Sequence, residues 1–523
     1  MAASDLGRSS SGWTLQLLYS QDVDSLDPAL GLLPGSQALL WLTCETLTRY
    51  PDAPAPVGAQ PVPGGAGPPR ISADRRSYTF TVRKDLRFSD GSPVTAANYA
   101  AAINRVLDPQ MQSLAATLYL TDVVGAQAVM NGKATAASGV QAHGQVLTIR
   151  LLRPAPDILS RLALTPFCPI PIDLPHDPAG VDTISSTGPY AVQSRVVDQK
   201  IVLVRNPYYR GSRPHYPSRI VVTVGGTDEA NVAAVARGAA DYATDLGGLG
   251  GAALSPTTLA ALVQRYGVNR GRFFFEPTLD VNFFALNTAH GIFAGNPSLR
   301  RAVNYAVDRH ALAATFGYLG VKRTAQLLPL GVPGYIRDNT YPVSGPDLAR
   351  ARALARGHLR NGQALMYAPD VPRYHLRAYI LQYDLAKIGI HLDVRYIPPG
   401  LYYTTVEQSP DGYDIATVGW AANYDDPDFF LVPLLGSAGV GNNNYSRLHD
   451  PALDRQLAAA SELQAPARFA AFGKLDVEIM RDLAPIVPYA NQAAYFLVSK
   501  RIGCVTYNPV YYLDYAALCL QNN

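Results

Sequence analysis

The chain has 523 residues, 48% of them apolar and 16% charged, and a formal net charge of +3. That length exceeds one ordinary core, so two or three domains are expected, and a charge this modest without low-complexity blocks excludes a disordered chain. The basic residues are scattered with no basic-aromatic stripe, which argues against nucleic acid, and no run of 18 apolar residues is available to cross a bilayer.

Strand and helix signals alternate irregularly from end to end, the mark of an α/β protein. Residues 1–11 are small and polar, with neither an apolar export core nor a cysteine for lipid attachment. Residues 51–69, rich in Pro, Gly and Ala, read as a linker. Tyr78, Phe80 and Val82 then alternate with Thr79, Thr81 and Arg83, which predicts a half-buried strand. A helix follows, capped by Thr95 after Pro93, with Tyr99, Ile103, Val106 and Leu107 on one face and Asp108-Pro109 at its end. Residues 247–251 read as a second linker.

Asn296 as cap and Pro297 in the first turn predict another helix, burying Leu299, Val303, Ala306 and Val307. Leu381, Leu385 and Ile388 lie on a helix that stops at Gly389, and Ile390, Leu392, Val394 and Tyr396 alternate as the next strand. Residues 413–420 form a nearly continuous apolar strand ending in Gly419-Trp420, as expected in a sheet covered on both faces. The carboxyl end of such a strand is where α/β sheets bind ligands.

Signals for bond-making chemistry are sparse. The glycine run from Gly248 superficially fits a dinucleotide fingerprint, but no helix with a ribose-binding acid follows, and a loop is the better reading. Gly132-Lys133 lacks the upstream glycine of a phosphate loop. Nine histidines form neither HExxH nor any i,i+4 pair, and there is no GxSxG elbow. No cofactor or metal is therefore expected. Four cysteines, Cys44, Cys168, Cys504 and Cys519, allow three pairings; Cys504 with Cys519 and Cys44 with Cys168 is favoured, four buried thiols being the other reading. A surplus of 31 tyrosines, clustered near Tyr402-Tyr403, Tyr424 and Tyr511-Tyr512, suits a pocket for chemically varied ligands, since a ring adds contact area at low entropic cost.

Several segments resemble the family 5 extracellular solute-binding proteins, the oligopeptide, dipeptide and nickel receptors of ABC importers. They are residues 80–95 (FTVRKDLRFSDGSPVT), 186–190 (STGPY), 205–209 (RNPYY), 299–309 (LRRAVNYAVDR), 413–420 (YDIATVGW) with 423–428 (NYDDPD), and 486–489 (IVPY). The resemblance implies a two-lobed periplasmic-binding-protein-like fold. Its first lobe would comprise 12–44, 182–276 and 490–523, with an extra subdomain at 45–181; its second lobe would be 277–489. A two-stranded hinge would run near 275–281 and 487–491. It further implies a monomeric, non-enzymatic receptor outside the cytoplasm, at the cell surface or in the periplasm. Its precursor would be membrane-anchored, with the export signal absent from this sequence. The partners would be a short peptide or peptide-like small molecule and the importer's membrane subunits. Some actinomycete members are associated with clavulanic acid biosynthesis, and this chain resembles such a specialised member.

The resemblance also assigns ligand contacts. Gly419 and Ala421 would offer backbone groups to an extended ligand with Trp420 beside it, and Tyr119, Leu32 and Leu33 would lie near the ligand; Tyr402 and Tyr424 are ligand candidates from the tyrosine clusters. In peptide receptors of the family, the acid three residues after the tryptophan pairs with the peptide's ammonium; here that position is Asn423, which can accept a hydrogen bond but cannot neutralise a cation. Asp425 is the candidate replacement, against the reading in which Asp425, Asp426 and Asp428 only shape the turn. Asn423 keeps another cargo open, an oligosaccharide or secondary-metabolite intermediate. From another class, the remaining reading is a peptide hydrolase or transferase on the same scaffold.

Overall fold

A computed structural model describes residues 12–54, 60–245, 254–316 and 321–521; the glycine run from Gly248 and the segment 247–251 lie outside them. The chain divides into two compact units. One comprises Met1–Glu276 together with Ala494–Asn523, the other Pro277–Ala493, so the backbone passes between them twice.

The discontinuous unit is built on a seven-stranded sheet. Its order is Phe273–Pro277, Ala493–Val498, Tyr242–Asp245, Thr14–Tyr19, Arg219–Val224, Lys200–Arg205 and Tyr190–Val196. Thr14–Tyr19 alternates half-buried and buried residues and sends Leu15, Leu17 and Tyr19 into the core. There they meet Ala38, Leu39 and Leu42 of the helix Pro34–Thr43, and Phe496 and Val498 from the far end of the chain. A separate four-stranded antiparallel sheet contains the strand expected around Tyr78 (Ser77–Thr81) and is joined by the helix Ala96–Leu107. At the start of that helix the Asn98 side chain accepts the Thr95 N–H at 2.9 Å. Two disulfides, Cys44–Cys168 and Cys504–Cys519, lie in this unit, and no described cysteine is free.

The segment 51–69 is only partly the linker its composition suggests. Val62–Pro63 pairs antiparallel with Thr48–Arg49, and Gly64, Gly65 and Ala66 are buried. A β-carbon on Gly65 would stand 2.0 Å from the Tyr99 hydroxyl, so glycine is needed here for close approach, not for freedom.

The continuous unit carries a six-stranded sheet. Its order is Lys322–Arg323, Ile486–Asn491, Asp280–Leu286, Ile415–Ala421, Gln363–Pro369 and His391–Ile397. The helix predicted after Asn296 is Pro297–Ala306, with the Asn296 side chain accepting the Leu299 N–H at 3.2 Å. The helix Pro372–Ala386 connects two parallel neighbours, Gln363–Pro369 and His391–Ile397, and the turn between helix and second strand contains Gly389 at φ 88°. Ile415–Ala421 lies inside the sheet, which accounts for its unbroken apolar start.

Candidate functional site

The candidate site of the continuous unit forms where two neighbouring strands part. Ile415–Ala421 pairs antiparallel with Asp280–Leu286 along its whole length, but with Gln363–Pro369 only at Ile415 and Ala416. Backbone groups alternate sides along a strand. Ala422 donates to the Leu279 carbonyl at 2.7 Å on the paired side, so Thr417, Gly419 and Ala421 direct theirs toward the side that Gln363–Pro369 has left.

The protein's own phenols occupy the beginning of that open edge. The Tyr402 hydroxyl accepts the Thr417 N–H at 2.8 Å and lies 2.8 Å from the Thr417 carbonyl and 3.1 Å from the Tyr367 carbonyl, bridging the two strands as they separate. Tyr402 is 1% exposed, so its hydroxyl braces the sheet and presents nothing to a ligand. Tyr403, one residue on, turns its hydroxyl to the Gly419 backbone, a contact that opposes the upward push of burial on its pKa. Ala421 is exposed. Trp420 is half-buried, donates from Nε1 to the Phe429 carbonyl at 2.9 Å and packs 5.3 Å from the Phe429 ring; Tyr424 packs on the same ring at 4.9 Å.

The acids after the strand have different surroundings. Asp426 is held by Arg468 through two bonds of 3.0 and 3.1 Å, and Asp428 by Arg468 at 3.1 Å and the Ser461 hydroxyl at 2.5 Å. Those two shape and fasten the turn. Asp425 is 7% exposed, and its Oδ1 is buried with no hydrogen-bond partner among the described residues. Burial, reinforced by the neighbouring Asp426 charge, pushes its carboxyl up to about 7. Asn423 is half-buried beside it.

Tyr119, Leu32 and Leu33 belong to the other unit. Tyr119 is 1% exposed and packs edge-on against Phe167 at 6.2 Å. The Leu32 and Leu33 amides both donate to Asp24 Oδ2, at 2.9 and 3.1 Å, and Leu33, half exposed, precedes the helix Pro34–Thr43.

A family model, "Bacterial extracellular solute-binding proteins, family 5 Middle", matches residues 60–442. The chain belongs to this family. Among curated family 5 relatives it is 26% identical over 442 residues to the periplasmic murein peptide-binding protein MppA of Escherichia coli, covering 80% of this chain and 78% of that one. Protein XP55 of Streptomyces lividans is 29% identical over 435 residues, covering 79% and 73%. A solved structure titled clavulanic acid biosynthesis oligopeptide binding protein 2 superposes with a TM-score of 0.85 at 25% identity, covering 98% and 96%. Family 5 is a family of binding proteins, and its structural relatives are two-lobed. Among the described residues no group of three or more His, Cys, Asp or Glu is placed to hold a metal, and no helix is long and apolar enough to cross a membrane.

Polar residues that the sequence reading of this family 5 chain passed over also collect near Gly419. Tyr403 neighbours Tyr374 and Tyr489, and Tyr489 neighbours Arg377. Among the described residues, Asn282 Nδ2 and Thr417 Oγ1 are buried without a hydrogen-bond partner, and the Tyr489 hydroxyl meets the Arg377 side chain. A signal for one member was present: Tyr374, Arg377, Ala378, Leu381 and Leu385 follow helical spacing, which puts an arginine on a buried stripe.

Proposed function

We propose that the protein is an extracytoplasmic receptor that encloses a short peptide or peptide-like metabolite between its two lobes and delivers it to the membrane subunits of an ABC importer. Family membership supports the receptor class, and the names of relatives such as the murein peptide-binding protein favour a peptide-like cargo. The observation that carries the reading is Asp425, a buried carboxylate with an unmatched oxygen five residues beyond Trp420 in sequence and adjoining the open edge of the Gly419-Ala421 strand. A carboxylate in that state is stabilised by an arriving ammonium, which supplies both the missing hydrogen bond and the counter-charge. Asp425 thus takes the part of the acid replaced by Asn423, while Ala421 and Trp420 flank an extended ligand.

In this reading the two chain passages act as a hinge, residues 45–181 form an added subdomain of the first lobe, and the receptor works as a monomer tethered to the membrane. It makes no bond in its cargo, and cargo contacts that favour the closed state drive closure. The test is mass spectrometry of ligand retained through purification, followed by calorimetry with di- to nonapeptides. Binding of at least one free-amino peptide, weakened tenfold or more by N-acetylation, is expected. Silence toward every peptide together with a retained oligosaccharide or neutral metabolite would overturn it in favour of the non-peptide reading that Asn423 supports.

A further inference from the structure

Basic residues scattered along the sequence meet at one end of the seven-stranded sheet. Arg219 stands beside Thr14, where the first strand starts, and Val204 lies opposite Arg219, which brings Arg205 to the same end. On the other side of Thr14–Tyr19, the parallel strand Tyr242–Asp245 starts with Tyr242 opposite Val498, so Lys500 and Arg501 follow Val498 out of the sheet there. The Val498 N–H donates to the Arg272 carbonyl at 2.9 Å. Two helices end at this pole. Asp228–Arg237 leads through Gly238 into Tyr242–Asp245, and Pro256–Tyr266 places the Tyr266 ring centre 4.6 Å from the Arg272 guanidinium. Arg237, Arg265 and Arg270 thus reach the same end. The chain passages to the other unit leave from the opposite ends of Phe273–Pro277 and Ala493–Val498.

These cations are not balanced by acids. At the strand and helix ends that form the pole, the acid among the described residues is Asp241, 2% exposed and committed to Arg501, whose Nε donates to it at 2.6 Å. Arg219, Arg237, Arg265, Arg270 and Lys500 are exposed, and no carboxylate among the described residues lies within ion-pair distance of any of them. Arg237 and Arg265 sit in the last turns of their helices, where the dipole favours a cation. That cause does not reach Arg219 at a strand start, or Arg270 and Lys500 in the connections between elements. Two amphipathic rings stand among the charges. Trp13 is half-buried with the Arg501 guanidinium 5.6 Å from its ring centre, and Tyr216 is 51% exposed beside Arg205, which donates to the Tyr216 carbonyl.

Like charges gathered in this way repel one another, and an anionic surface relieves the repulsion. From the strand of Arg272 to that of Arg205 the pole spans five strand spacings, about 24 Å at ~4.8 Å each, which suits a charged plane and not a single small anion. Tryptophan and tyrosine settle at the headgroup level of a bilayer, where one end of the ring is apolar and the other wet. We propose that this basic pole docks on the anionic phosphate headgroups of a phospholipid leaflet. The described chain enters the unit at Gly12-Trp13, at the same pole, so a tether ahead of it would hold this end against the membrane. The choice of lipid over other polyanions rests on the proposed extracytoplasmic, membrane-tethered receptor. The surface itself lies apart from the cargo-binding strand and adds an interaction that cargo binding does not require.

The test is co-sedimentation of the full chain, carrying no lipid anchor, with phosphatidylcholine vesicles made with and without phosphatidylglycerol. Binding to the anionic vesicles should be at least tenfold tighter than to the neutral ones at low salt and should vanish at high salt, where exposed charges are screened. A lysine or arginine near an anionic leaflet strengthens binding about fivefold, so Arg270→Gln combined with Lys500→Gln should weaken it at least tenfold at an unchanged melting temperature. Lys84→Gln combined with Lys133→Gln removes the same charge from exposed positions elsewhere in the unit and should leave vesicle binding within about twofold. Peptide calorimetry on the same variants keeps the two readings separate. Vesicle binding that depends on Arg270 and Lys500 in a chain that binds no peptide would sustain the surface while the receptor reading fails. Equal binding to neutral and anionic vesicles, equal losses in the two double variants, or tighter binding to duplex DNA than to anionic vesicles at the same ionic strength would overturn the proposal.

Discussion

A carboxyl group that burial holds at about 7 binds its proton in the folded state long after the unfolded chain, with an ordinary value of 3.8, has released it. Stability contributed by Asp425 is therefore intact below about pH 4 and is lost as pH rises toward 7, because the folded state must ionise a buried group. Asp425→Asn should raise stability by about 2 to 4 kcal/mol at pH 8 and change it little at pH 4, as read from urea melts at the two pH values. The same substitution should weaken a free-amino ligand while sparing its N-acetylated form. In the native protein, affinity for an ammonium ligand should climb between pH 5 and 7 as Asp425 ionises, and calorimetry at both ends of that range measures the slope. Tyr402 makes a contrasting case. Tyr402→Phe should cost about 1 to 3 kcal/mol by stranding the Thr417 amide and leave cargo affinity within a few fold, since its hydroxyl serves the sheet.

At the scale of elements, the turn after Ile415–Ala421 depends on a residue far along the chain. Arg468, 1% exposed on the helix Ala467–Glu478, binds Asp426 and Asp428 together. Arg468→Ala leaves two carboxylates without their cation and should destabilise the protein by about 3 to 5 kcal/mol in denaturant unfolding, a much larger effect than any exposed ion pair would give. Local signals of this kind differ in how well they can be read from sequence. The caps at Asn296 and Thr95, the stop near Gly389 and the doubly covered strand at 415–421 were legible because each depends on neighbours within a few residues. Residues 60–69 were not. Proline and glycine mark a mobile connector and a tightly packed crossing alike, and only the approach of Tyr99 to Gly65 separates them. The three aspartates of the turn were equally ambiguous, since which acid meets Arg468 is decided by packing across 42 residues. Arg377 was written on its helix stripe, but its contacts with Thr315 and Phe316 are facts of tertiary structure.

For the whole molecule, the unit that begins the chain also ends it. Ala493–Val498 pairs antiparallel with Tyr242–Asp245 and lies second from the edge in the seven-stranded sheet. The C-terminal segment then adds Tyr507, Leu513, Tyr515 and Leu518 to the core, and the bond between Cys504 and Cys519 closes a separation of 15 residues. Loop closure of that size contributes about 3 kcal/mol in the chain-entropy model, so Cys504→Ser with Cys519→Ser should lower unfolding free energy by about 2 to 4 kcal/mol. The effect should fall on the discontinuous unit, and amide exchange in Thr14–Tyr19 against Ile415–Ala421 would show whether it does.

Synthesis from the amino terminus gives this topology a temporal consequence. Pro277–Ala493 has emerged before the second partner strand of Tyr242–Asp245 is complete, so the insert can mature while its host waits unfinished. Until Ala493–Val498 arrives, that host exposes an open sheet edge, the kind of surface that invites association with other chains. Completion of the discontinuous unit thus waits on Ala494–Asn523, the segment that returns to it after the insert.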